Sequence, residues 1–128
     1  MTGRVQPSDP NLLVRNVTKG TILCDRGLAA DTSEKRRTGL LKHKSLPEGE
    51  GLWIVPCEGV HTFGMNFPID VVYLNKKRVV VKLRPNMVKR RMSFCLRAHS
   101  VLELPTGMIA KTQTAVGDQL ELIRGDKA

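Results

Sequence analysis

At 128 residues the chain is one domain's worth of polypeptide, long enough to bury about two-thirds of the surface its unfolded form exposes, so folding requires neither a metal nor a disulfide. Hydrophobic residues at 41% and charged ones at 26% are ordinary for a globular protein, so disorder is not the default expectation, and aromatics at 4% leave the core to Leu, Val and Ile. The formal charge of +9, from 21 basic and 12 acidic residues, favours encounters with polyanions such as nucleic acid or an acidic membrane face.

Residues 1–11 carry Gly3, Pro7, Ser8, Asp9 and Pro10 without hydrophobic periodicity and read as a flexible lead-in to a β-rich domain over 12–123. Leu12 to Val17 and Thr21 to Leu28 flank the turn Thr18-Lys19-Gly20 and predict an antiparallel pair. Asp31 or Thr32 can cap a short helix, with Glu34 at capping-box spacing from Asp31, running to about Leu41. Leu46 to Gly51 is dense in turn formers. It delivers the chain to Gly51 to Leu74, the stretch holding the only Trp and the only Tyr, which reads as strand, tight loop, strand. The apolar run Leu52 to Val55 ends at Pro56, and Val71 to Leu74 resumes after Pro68.

Asn75-Lys76-Lys77 is a turn between Val71 to Leu74 and Val79 to Leu83, a second predicted hairpin that Pro85 closes. Asn86 to His99 reads as a long loop. Ser100 to Leu104 predicts a strand with Leu102 and Leu104 set against Val101 and Glu103, and Gln119 to Ile123 predicts the last strand before a flexible tail at 124–128. The expected fold class is mainly β (α+β): a single partly closed β-sheet or barrel of about seven short strands with one short helix.

No apolar run approaches the ~20 residues that span a bilayer, and the N-terminus has no apolar stretch behind Arg4, so the expectation is a soluble, cytoplasmic protein. Cys24, Cys57 and Cys95 are odd in number and widely spaced, which predicts reduced thiols.

ADTSEKRRTGLL, LPEGEGLW, HTFGMNFPIDVVYL, LELPTG and VGDQLEL fall in an order and spacing that resembles the uncharacterised family known as domain of unknown function 192, over about Leu12 to Ile123. The resemblance implies a small β-rich domain that usually stands alone, often behind an export signal of which this sequence shows no sign. It brings no activity with it. Two features depart from the family pattern: the turn Asn75-Lys76-Lys77-Arg78, and the basic Arg90-Arg91-Met92-Ser93 segment.

Within the central stretch, Trp53, Cys57, His61, Thr62, Met65, Asn66 and Asp70 are the candidate ligand-binding residues. Cys57, His61 and Asp70 are also the residue types of a thiol nucleophile, its base and an orienting carboxylate. The alternative is structural: Cys57 as a small apolar residue, His61 and Asp70 tying the loop to backbone groups, and Met65, Phe63, Phe67 and Trp53 as core. Gly64 meets a positive φ or a close backbone approach. A metal set would have to recruit Cys57, His61, Cys95 or His99, which are scattered, so neither metal nor cofactor is expected.

Lys76, Lys77, Arg78, Lys82, Arg84, Lys89, Arg90, Arg91 and Arg97 form a basic block with no acid between Asp70 and Glu103. It fits a phosphate-tracking surface for nucleic acid or another acidic partner, or equally a solvated face. The sequence thus favours a non-enzymatic binding module with a small loop site and a basic face. A small hydrolase or thiol enzyme using Cys57 and His61 is the alternative.

Overall fold

The computed structural model describes residues 11–125. Its elements in chain order are β1 (Leu12–Asn16), β2 (Thr21–Ala30), α1 (Ser33–Thr38), β3 (Glu50–Ile54), β4 (Gly59–His61), β5 (Ile69–Leu74), β6 (Val80–Met87), β7 (Met92–Phe94), β8 (Ser100–Pro105), α2 (Met108–Lys111) and β9 (Leu120–Arg124). Seven strands form one sheet in the order β6-β5-β8-β3-β2-β1-β9, and β4 and β7 form a separate two-stranded ribbon. All pairs are antiparallel except β2 with β3.

The sheet curls until its edges meet, because Val79 bridges Gln119 and the Leu120 N–H donates to the Arg78 carbonyl at 2.9 Å. One apolar cluster draws residues from all seven strands, including Leu12, Leu23, Trp53, Val72, Val80, Leu102 and Leu120, and is the inside of this half-barrel, with Met108 and Ile109 of α2 packed into it. The outer face carries a second cluster, Leu52, Ile54, Ile69, Val71, Tyr73 and Val101, covered by Leu40, Leu46, Val60 and Met65. Both faces of β5 and β8 are therefore buried, so these strands show unbroken burial where a one-sided sheet would alternate with solvent.

The expected β-rich class and both hairpins are present. Four local expectations are corrected. β6 continues through Pro85 to Met87; as the outermost strand next to β5 it has a side where a missing N–H costs no ladder bond. Asn86 to His99 is not all loop, since Met92 to Phe94 pairs with Gly59 to His61. A second helix, α2, stands where none was expected. The first helix stops at Gly39, φ +49, whose N–H donates back to the Lys35 carbonyl, instead of running on to Leu41. The lead-in over 1–10 and the last residues, 126–128, lie outside the described residues. Asn11 and Gly125 are joined by a backbone hydrogen bond, and Arg124 is paired in β9.

Candidate functional site

Thr32 caps α1 by accepting the Lys35 N–H at 3.2 Å, which sets the helix across the outer face of the sheet. Opposite it runs β4. Between them opens a cleft of about 420 Å³, walled by Arg36, Leu40, Cys57, Val60, His61 and Met65 and reaching Ile54 and Glu103 on the sheet beneath. Gly64, with φ +84, turns the chain so that Met65 points inward while the loop returns to β5.

Glu103 lies in the middle of β8, opposite Leu52 of β3 on one side and Val71 of β5 on the other. Directly paired residues share a face, so its carboxyl emerges on the outer side with Leu52 and Val71, within reach of Cys57 and Tyr73. Only 4% of the residue is exposed, and its carboxyl makes no hydrogen bond among the described residues. Burial pushes its pKa up to about 8, so near neutral pH it holds its proton and offers both a donor and an acceptor to whatever occupies the cleft. The sequence reading set Glu103 with Val101 on the face opposite Leu102 and Leu104 and did not count it among the candidates. A lone carboxylate inside SVLELP was the available signal.

Of the predicted loop residues, Cys57, His61 and Met65 do share the cleft. The Cys57 thiol donates to the Gly59 carbonyl at 3.0 Å and makes no hydrogen bond to His61, and burial pushes its pKa up, away from thiolate character. His61 is exposed, with its ring tilted against Phe63 at 5.9 Å between centroids. Arg36, not among the candidates, holds the Val55 carbonyl at 3.3 Å and Ser33 Oγ at 3.3 Å at the rim.

The other candidates lie elsewhere. Alternation along β5 sends Ile69, Val71 and Tyr73 to the outer cluster and leaves Asp70 on the inner side with Val72 and Leu74. There the Asp70 carboxylate accepts N–H groups from Asn86 at 2.8 Å, Gly107 at 3.1 Å and Ile109 at 2.8 Å, fastening α2 to β6. Cys57, His61 and Asp70 are thus not assembled into one constellation. Trp53 is also internal, under the Arg78 guanidinium at 4.9 Å from its ring centroid. Thr62 is buried, donating to the Val88 carbonyl at 2.6 Å and accepting the Arg91 N–H at 2.9 Å, and Asn66 is exposed.

None of the nine residues of the basic block takes part in an ion pair among the described residues. Lys76, Lys77, Lys89, Arg90, Arg91 and Arg97 are exposed, and Arg78, Lys82 and Arg84 are half-buried. Lys82 Nζ donates to the Phe94 carbonyl at 2.6 Å and sits 5.7 Å from the Tyr73 ring centroid, while Arg97 reaches the Val81 carbonyl at 3.3 Å. Lys76, Lys77 and Arg97 border a second, more open cleft of about 910 Å³ with Glu58 and His99. All three cysteines are free. Among the described residues no helix is long and apolar enough to cross a membrane, and no three metal-ligating side chains gather.

The family DUF192, described as "Uncharacterized ACR", matches residues 18–122. A UPF0127 protein of Pyrococcus furiosus is 33% identical over 83% of this chain and 94% of its own length; one of Thermococcus sibiricus is 31% identical over 83% and 71%. Two crystal structures share the fold. A protein of unknown function from Novosphingobium aromaticivorans has a TM-score of 0.75 at 21% identity, covering 88% of this chain and 84% of the other. A Sinorhizobium meliloti protein described as a candidate transcription regulator has a TM-score of 0.76 at 17% identity, covering 93% and 97%. By the family match and the identity to its archaeal relatives, the chain belongs to the DUF192 (UPF0127) family.

Proposed function

We propose that this protein is a small-ligand binding module whose site is the cleft between α1 and β4. The observation that supports it is the Glu103 carboxyl, only 4% exposed at the floor of a cleft of ligand-holding size and without a hydrogen-bond partner among the described residues. Such a group disfavours the empty state unless something hydrogen-bonds to it. The complementary ligand is small, with an apolar body against Leu40, Ile54, Val60 and Met65 and a hydrogen-bond-donating head, an amine or an amide, at Glu103. Bound to an amine, the carboxyl gives up its proton and forms a charge-assisted pair.

Ligand-observed NMR with benzylamine, benzamide and benzoate tests this. Benzylamine and benzamide bind and Glu103→Leu removes their binding, with benzoate, which can only accept from the protonated carboxyl, as the comparison. Benzylamine binds more tightly as the pH approaches 8. Absence of binding by both donors, or binding that Glu103→Leu leaves intact, overturns the reading.

The exposed cations, without ion pairs among the described residues, support a second element of the same reading, a basic face for anionic partners. Fluorescence anisotropy with short single-stranded and duplex nucleic acids, and pelleting with anionic vesicles, measures it. Binding that weakens steeply with salt is expected; no binding of either at low salt removes it.

A further inference from the structure

The ribbon inverts the usual rule for a half-buried strand. From Met92 to Leu96 the apolar side chains Met92, Phe94 and Leu96 face outward, 57, 58 and 81% exposed, while Ser93 and Cys95 face inward and are buried. Across the ribbon, Gly59 stands opposite Phe94 and His61 opposite Met92. A Cβ on Gly59 would come within 2.8 Å of Phe94 Cδ1, so the glycine lets the ring come close to β4. Met92, Phe94 and Leu96 border one shallow hollow with His61, and Phe63, also exposed, continues the patch beyond it. Lys89, Arg90 and Arg91 lead directly into this strand, Arg97 follows it, and Lys82 is bonded to the Phe94 carbonyl; Glu58 is the one acid at the hollow.

We propose that the outer face of the β4–β7 ribbon docks on the surface of a membrane rich in anionic phospholipid, with Met92, Phe94 and Leu96 entering the headgroup boundary and Lys89, Arg90, Arg91 and Arg97 holding lipid phosphates. This rests on the basic-face reading above and names its partner. Exposed apolar area beside a cluster of cations is the combination that anionic bilayers bind. A second copy of the chain is disfavoured, because joining two such faces sets one cation cluster against the other. Nucleic acid is disfavoured because the most exposed apolar side chain, Leu96, has no π-face on which a base stacks.

Flotation of the full chain with vesicles of phosphatidylcholine, alone or mixed with phosphatidylglycerol, tests the proposal, with a short single-stranded oligonucleotide as comparison. The protein floats with the anionic vesicles only. Arg90→Glu with Arg91→Glu weakens this about tenfold or more. Met92→Ser with Leu96→Ser also weakens it, and those two side chains are exposed enough that the fold survives, as circular dichroism checks. Oligonucleotide binding without vesicle binding overturns the lipid assignment and leaves the basic face standing. Vesicle binding that the Met92 and Leu96 changes leave untouched overturns the docking geometry, and binding of neither probe overturns both readings.

Discussion

Asp70 and Glu103 are buried carboxyls on neighbouring strands, one residue out of register, and they face opposite sides of the sheet. Asp70 looks into the half-barrel and is met by three backbone N–H groups. Glu103 looks outward into a cleft and is met by none among the described residues. The same chemistry is structural where the chain supplies its partners and is left available where the partners have to come from outside.

The contrast breaks first at Asp70. Asp70→Ala strands the buried amide of Ile109 and the partly buried amides of Asn86 and Gly107 at the junction of β5, β6 and α2, and denaturant unfolding is expected to show a loss of about 3 kcal/mol. Asp70→Asn, which keeps an acceptor, costs less. If Asp70→Ala unfolds at the wild-type midpoint, the structural half of the comparison fails.

Glu103 gives the opposite response. Below its ordinary value of 4.5 both folded and unfolded chains hold the proton; between there and about 8 only the folded chain keeps it. Stability is therefore lost as pH rises through that window, by at most about 1.4 kcal/mol per pH unit, and levels off above it. Glu103→Gln removes this slope, so the variant gains on the wild type between pH 5 and pH 8. A variant that tracks the wild type across that range contradicts an unpaired carboxyl.

That the two carboxyls part company was not legible from residue order. Asp70 is close to Cys57 and His61 in sequence, and only the period of two along β5 carries it to the other side. Glu103 was not legible for a related reason: alternation sets it on the face opposite Leu102 and Leu104, but gives no sign that Leu40, Leu46, Val60 and Met65 cover that face. What the sequence displayed well was local, the Thr18-Lys19-Gly20 and Asn75-Lys76-Lys77 turns and a helix start at Asp31 or Thr32, of which Thr32 is the cap. The strand β7 is three residues long and finds its partner far away in the chain, and α2 is a single turn, so neither leaves a period to detect.

Cys57 sharpens the comparison at the cleft wall. With its pKa raised by burial, alkylation by iodoacetamide is expected to be slow at pH 7 and to accelerate only above the ordinary thiol value of 9.0. Rapid reaction at neutral pH would restore the thiol-enzyme reading. The smallest effect is expected from Lys76→Gln with Lys77→Gln, exposed and without ion pairs among the described residues. Stability moves by no more than about 0.5 kcal/mol while anion binding at low salt weakens. A large stability change there would mean that the basic face serves the fold.

The most direct test is an NMR titration of the Glu103 side-chain carboxyl in the carbon-13-labelled protein, with Glu103→Gln to assign the resonance. A midpoint near 8 in the free protein, moving downward when benzylamine is added, is the result expected of a buried carboxyl awaiting a donor. A midpoint near 4.5 that benzylamine leaves unmoved would contradict it.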